Sequence, residues 1–158
     1  MKIILLFVGR TEAGHVGEGL EHYLARIRRS VPVDVLVIPD SKLRDGTTRV
    51  KEEEARIEQA LVRATSGGAA RVVVLDERGK GLTSTKLSGQ LGAWRDQGVR
   101  RLVFVVGGAY GLHATVRDKA DLVLGLSAMT FPHQLVRVIL AEQIYRAFSI
   151  LERKPYHH

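Results

Sequence analysis

Five short stretches of the chain are apolar almost without interruption: residues 2–8 (KIILLFV), 33–38 (VDVLVI), 71–76 (RVVVLD), 101–106 (RLVFVV) and 121–126 (DLVLGL). Between them, residues 15–29 and 48–65 carry apolar side chains at helical spacing, 83–97 does so more weakly, and a last such segment runs from about Pro132 to Phe148. Segment 48–65 starts acidic and ends basic, as the helix dipole favours. Strands that do not alternate are buried on both faces, and a helix after each one calls for parallel neighbours. The pattern therefore predicts an α/β fold, a mainly parallel sheet with helices on both faces.

In such sheets ligands bind beyond the carboxyl ends of the strands. That rule selects three loops: LDERGKG (75–81), GGAYGLH (107–113) and LSAMTFPH (126–133). A fourth glycine-rich loop, GRTEAGHVGEGL (9–20), has Gly9 and Gly14 at phosphate-loop spacing, but His15 and Val16 stand where that loop needs Lys and Ser or Thr. The dinucleotide fingerprint fails there too, because the third glycine is missing, so these glycines serve a turn and the approach to a helix. In VVGGAYGL, Gly107, Gly108 and Gly111 directly follow a strand, where bare backbone serves either a tight turn or a ligand.

The last helix is the most informative segment. Thr130 is placed to cap it, with Pro132 in its first turn, and its free N–H groups suit either plain capping or a ligand. His133 and Arg137 are four apart and share a face near that start. Glu142 and Arg146 form a second such pair on roughly the opposite side. Apolar residues surround most of the remainder, and burying a helix on two sides is met most simply by a symmetric homodimer. The chain ends ERKPYHH, with an aromatic and two histidines beyond a proline.

Composition narrows the classes. At 158 residues, one domain over 1–158 with its own core is expected. There is no cysteine, hence no disulfide and no thiolate metal site, and the six histidines lack carboxylates at ligand spacing, so no metal is expected. No apolar run approaches the roughly 20 residues of a membrane helix, and the first is too short for a signal peptide; a cytoplasmic protein without a membrane partner is expected. The net charge of +7 favours a polyanionic partner.

Taken together, LDERGK (75–80), VVGGAYGL (105–112), LSAMTFPHQLVRVILAEQIYRA (126–147) and PYH (155–157) closely resemble the RlmH (YbeA-type) family of SPOUT-class bacterial ribosomal RNA methyltransferases. The likeness extends over the whole chain, in element order and motif spacing. It implies a homodimer with a carboxyl-terminal trefoil knot, a topology periodicity does not reveal. It further implies S-adenosylmethionine as cofactor, cradled by Leu75, Gly107, Leu126, Ser127, Ala128, Met129, Thr130 and Phe131. The implied substrate is 23S rRNA in the ribosome, methylated on ring nitrogen N3 of a pseudouridine in the intersubunit hairpin. Two positions depart from the family pattern: Tyr110 stands where an acidic residue is usual, and His158 where Arg or Lys is common.

Methylating an imide nitrogen requires alignment of the methyl donor and removal of the N3 proton. On this reading His133 is the base or orienting group, Arg137 stabilises the anion, and Tyr156 and His157 close the site from the chain's own tail or a partner's. Lys42, Arg44, Arg49, Arg78 and Lys80 are expected at rRNA phosphates, which position rather than specify. Two alternatives stand beside it: a non-catalytic ribosome- or RNA-binding module with a vestigial cofactor loop, and a SPOUT methyltransferase acting on tRNA.

Overall fold

The computed structural model describes residues 1–156. Its elements are β1 (Lys2–Val8), α1 (His15–Ile27), β2 (Val33–Ile38), α2 (Gly46–Thr65), β3 (Ala70–Gly81), α3 (Ser84–Asp96), β4 (Arg101–Val106), α4 (Ala114–Asp118), β5 (Leu122–Gly125) and α5 (His133–Leu151). The five strands form one sheet in the order β2-β1-β4-β3-β5, every neighbouring pair parallel. The expected α/β architecture is present.

β1 explains why the strands read as unbroken apolar runs. Its Ile3, Leu5 and Phe7 point into a layer with α1, α3 and α5, while Ile4, Leu6 and Val8 point into the layer with α2 and α4. Each such buried side chain contributes about 2 kcal/mol. α1 buries Val16, Leu20, Leu24 and Ile27 as one helical stripe. α5 packs against both α1 and α3. Asp45 caps α2 by accepting the Thr48 N–H at 2.7 Å, which starts that helix two residues before its expected beginning. Thr83 caps α3 in the same way through the Lys86 N–H.

Three differences from the sequence pattern bear on function. α4 was not foreseen: it has five residues and buries only Val116, too little for a period to register. Residues 75–81, expected as a loop, belong to β3. β5 pairs with β3 twice, first through Leu75↔Leu124 and again through Lys80↔Leu124 and Gly81↔Gly125, and residues 76–79 bulge between the two registers. A partner that far downstream leaves no trace in local periodicity. Gly79 makes the crossing possible, since a Cβ there would lie 2.6 Å from the Leu124 carbonyl carbon and the Gly125 nitrogen. Finally, Pro132 precedes α5 rather than lying in its first turn, and the helix continues to Leu151. Among the described residues no helix is long and apolar enough to cross a membrane.

Candidate active site

The carboxyl ends of β3, β4 and β5 open into a cavity of about 700 Å³. The three loops selected by the sheet rule converge on it. Leu75, Gly107, Leu126, Ser127, Met129, Thr130, Phe131 and His133 all line it; Ala128 shares their loop but lies exposed outside the lining. Gly107 must be bare, because a Cβ there would meet Leu112 Cγ at 2.8 Å and the Gly111 carbonyl oxygen at 2.9 Å. Residues 108–111 form a tight turn closed by the Gly111 N–H on the Gly108 carbonyl, with Gly111 at φ +77°. That positive φ is easy only for glycine.

Polar contacts tie the loops together. Asp76 accepts from Arg117 Nη1 at 3.2 Å, and the same nitrogen donates to the Leu112 carbonyl at 2.7 Å. Thr130 was expected to cap the last helix; instead its hydroxyl donates to Glu77 Oε2 at 3.0 Å, joining the 76–79 bulge to the 126–131 loop. Pro132 intervenes, occupies the capping position itself, and makes no side-chain cap. Asp76, Glu77 and Arg117 were not singled out from the sequence. A carboxylate ending a buried strand was the available cue for Asp76, whereas Arg117 sits on the unforeseen α4.

At the start of α5 the two expected catalytic side chains separate. His133 lines the cavity, partly buried. Burial, reinforced by the Arg137 charge one turn on, pushes its imidazole below its ordinary pKa, so the neutral ring predominates at neutral pH. Arg137 is fully buried and is not part of the lining. Its Nη1 donates to the Gly9 carbonyl and the Thr11 hydroxyl, both at 3.0 Å, and its Nη2 to the Val8 carbonyl at 2.7 Å. The guanidinium also lies 4.8 Å from the Phe7 ring. Arg137 thus secures the end of β1, and its remaining Nε is buried without a partner among the described residues. Gln134 fastens the same junction, accepting the Glu12 N–H and donating to the Arg10 carbonyl.

Tyr156 lies elsewhere. Its hydroxyl donates to Glu142 Oε1 at 3.3 Å, its ring meets Tyr145 edge-on at 4.5 Å, and Arg146 sits over it at 5.0 Å. Burial, then a hydrogen bond with Tyr23 and the Glu142 charge, push its phenol up to about 12. Glu142 and Arg146 pair at 2.6 Å, as their spacing predicts. Nine residues of helix separate His133 from Glu142, about 14 Å along the axis and half a turn around it. Within one chain Tyr156 and His133 are not brought together, and His157 lies outside the described residues. Of the expected RNA-facing cations, Arg78 lines the cavity, Arg49 touches its rim through Tyr110, and Lys80 belongs to the outer β3–β5 pairing. Among the described residues no group of three or more His, Asp or Glu is placed to hold a metal.

This geometry has known counterparts. The family described as "Predicted SPOUT methyltransferase" matches residues 1–157. The chain belongs to the SPOUT methyltransferase family. It is 43% identical over its whole length to the ribosomal RNA large subunit methyltransferase H of Geobacter metallireducens, covering 99% of that protein. It is 40% identical to the protein of the same name from Geobacter sulfurreducens, over the full length of both. Among solved structures, a probable methylase family protein from Haemophilus influenzae Rd KW20 superposes with a TM-score of 0.60 at 12% identity, over 99% of this chain and 70% of that one, a likeness of fold. The RlmH resemblance drawn from the motifs therefore holds for the entire chain, and this SPOUT protein is an enzyme of the methyltransferase class.

Proposed function

We propose that the protein is an S-adenosylmethionine-dependent methyltransferase, a single SPOUT domain that modifies ring nitrogen N3 of a pseudouridine in 23S rRNA within assembled cytoplasmic ribosomes. The observation that carries this reading is the convergence of Leu75, Gly107 and the 126–131 loop on one cavity with His133 at its edge. The name of the full-length relatives supports ribosomal RNA of the large subunit as the substrate class.

The cavity suits the cofactor. Its volume falls in the range of small-molecule sites, about 300–1,000 Å³. Gly107 offers bare backbone, and the lining mixes apolar side chains (Leu75, Leu126, Phe131) with a few polar groups, as small-molecule sites do. When bound, S-adenosylmethionine supplies an electrophilic methyl group on a sulfonium. Leu75, Gly107, Leu126, Ser127, Met129, Thr130 and Phe131 hold it, while the Thr130–Glu77 bond keeps the loop closed against β3. His133, neutral at pH 7, accepts the N3 proton. The imide anion is then met by the start of α5, where the helix dipole favours negative charge. Arg137 is a positioning residue in this reading, because its Nη groups are committed to β1.

The close crossing of the 76–79 bulge with Leu124–Gly125 supports a knotted carboxyl-terminal region. The partly exposed stripe of Leu135 and Ile139 on α5 supports a homodimer. In such a dimer the tail with Tyr156 and His157 serves the partner's site, since within its own chain Tyr156 lies across α5 from His133.

The test is calorimetric titration with S-adenosylmethionine, followed by transfer of tritiated methyl to ribosomes lacking the modification and mass-spectrometric location of the label. Saturable binding with label on N3 of one 23S rRNA pseudouridine is the expected result. Label in tRNA alone overturns the substrate assignment. Absence of both binding and transfer overturns the S-adenosylmethionine-dependent reading.

A further inference from the structure

We propose that Tyr110 is a stacking platform on which a nucleobase of the RNA substrate docks at the mouth of the cavity, an inference that rests on the RNA methyltransferase reading above. The side chain lines the cavity yet is 55% exposed, the most exposed aromatic ring among the large hydrophobics of the structure. It is held from behind by the first turn of α2. The Arg49 guanidinium lies over the ring at 4.8 Å, and Gly46 is so close that a Cβ there would reach Tyr110 Cδ1 at 2.9 Å. Gly46 and Arg49 are three apart and share one face of the helix, so the ring rests on α2 by one side and leaves the other open.

Three features make this a platform rather than an ordinary exposed tyrosine. The backbone beneath it is a closed turn, since Tyr110 lies between Gly108 and Gly111, whose N–H bonds the Gly108 carbonyl. The ring is already oriented by a cation–π contact, so little side-chain freedom is lost when a base stacks on it. Arg49 lies against it, and the segment leading into α2 carries two further exposed cations, Lys42, which pairs with Asp40, and Arg44. An aromatic face bordered by cations is how proteins hold unpaired nucleotides, the ring taking a base and the cations its phosphates. The floor of the cavity at Gly107 is left to the cofactor, and the rim at Tyr110 to the RNA.

The test measures methyl transfer to unmethylated ribosomes by the full-length protein, its Tyr110→Phe variant and its Tyr110→Ala variant. S-adenosylmethionine affinity and thermal melting are measured alongside. The expected result is a KM for ribosomes raised about tenfold in Tyr110→Ala, with kcat and cofactor affinity within twofold of the parent. Tyr110→Phe, which keeps the ring, should match the parent, an outcome a hydroxyl-based role would not give. Tyr110→Leu keeps apolar bulk against Gly46 without a π face; it should show the KM loss of the alanine variant while melting with the parent. An unchanged KM in both the Ala and Leu variants, or a loss confined to cofactor affinity, overturns the platform while leaving the enzyme assignment standing. If the parent itself transfers no methyl group to ribosomes, the functional reading fails and the platform with it.

Discussion

The two arginines of α5 sit nine residues apart and live in opposite worlds. Arg137 is wholly buried, and its terminal nitrogens are spent on the carbonyls of Val8 and Gly9 and the hydroxyl of Thr11. Arg146, partly exposed, lies in the carboxyl-terminal half of the same helix, paired with Glu142 and stacked on Tyr156. One end of the helix is therefore locked to the sheet by contacts that leave it no alternative. The other carries a polar and aromatic cluster whose members are only partly buried. The difference teaches that an end braced against the sheet suits the placing of a reacting group such as His133, whereas a partly exposed end suits engagement with something outside the chain.

Removing residues 155–158 attacks the open end and has the largest expected effect. Methyl transfer to ribosomes should fall below detection while S-adenosylmethionine binding, followed by calorimetry, persists. Full activity after the truncation would remove the tail from the site.

At the locked end, His133→Asn should lower kcat about a thousandfold, the middle of the range for general-base loss, without changing cofactor affinity. Because burial and Arg137 depress the imidazole, the parent enzyme's kcat/KM should stay level as pH falls through the ordinary histidine range and decline only below it. A decline centred above that range would mean another group is titrating.

Arg137→Met should destabilise the fold by about 3 kcal/mol, roughly a hundredfold in the folding equilibrium, because the substitution leaves buried carbonyls unpaired. Urea titration reads this directly. Arg137→Lys should recover only part of the loss, since an ammonium cannot span all three acceptors.

The smallest effect belongs to Glu142→Gln. A partly exposed pair four apart on a helix contributes less than about 1 kcal/mol, so stability should barely move. The Tyr156 phenol, pushed up to about 12 partly by the Glu142 charge, should titrate lower in the variant, as ultraviolet difference spectra would record. A large stability loss here would erase the contrast between the two ends.

Much of this molecule was legible in the chain. β1 and β4 lie where the apolar runs predict, because a central parallel strand must be apolar on both faces and its boundaries show as changes of polarity; β2 also matches its run, although it is an edge strand with Leu36 and Val37 exposed. The three loops were legible from a rule about sheet edges, and they do meet at one cavity. What local pattern missed has a common cause. The continuation of β3 through Gly81, the Thr130–Glu77 bond and the Asp76–Arg117 tie all depend on partners far away in sequence. Arg137 is the clearest case: its spacing from His133 suggested a shared polar face, and nothing nearby announced that the end of β1 would come to meet it.

By itself the sequence determined the alternation of strands and helices, the family, and the residue types gathered at one sheet edge. These follow from burial patterns and short motifs that each element carries within itself. Only the tertiary structure decided which of two neighbouring polar residues faces the cavity, which becomes a buried brace, and that the half-exposed Tyr110 rests on Arg49. Side-chain role depends on what packs against it, and packing is set by the whole chain at once.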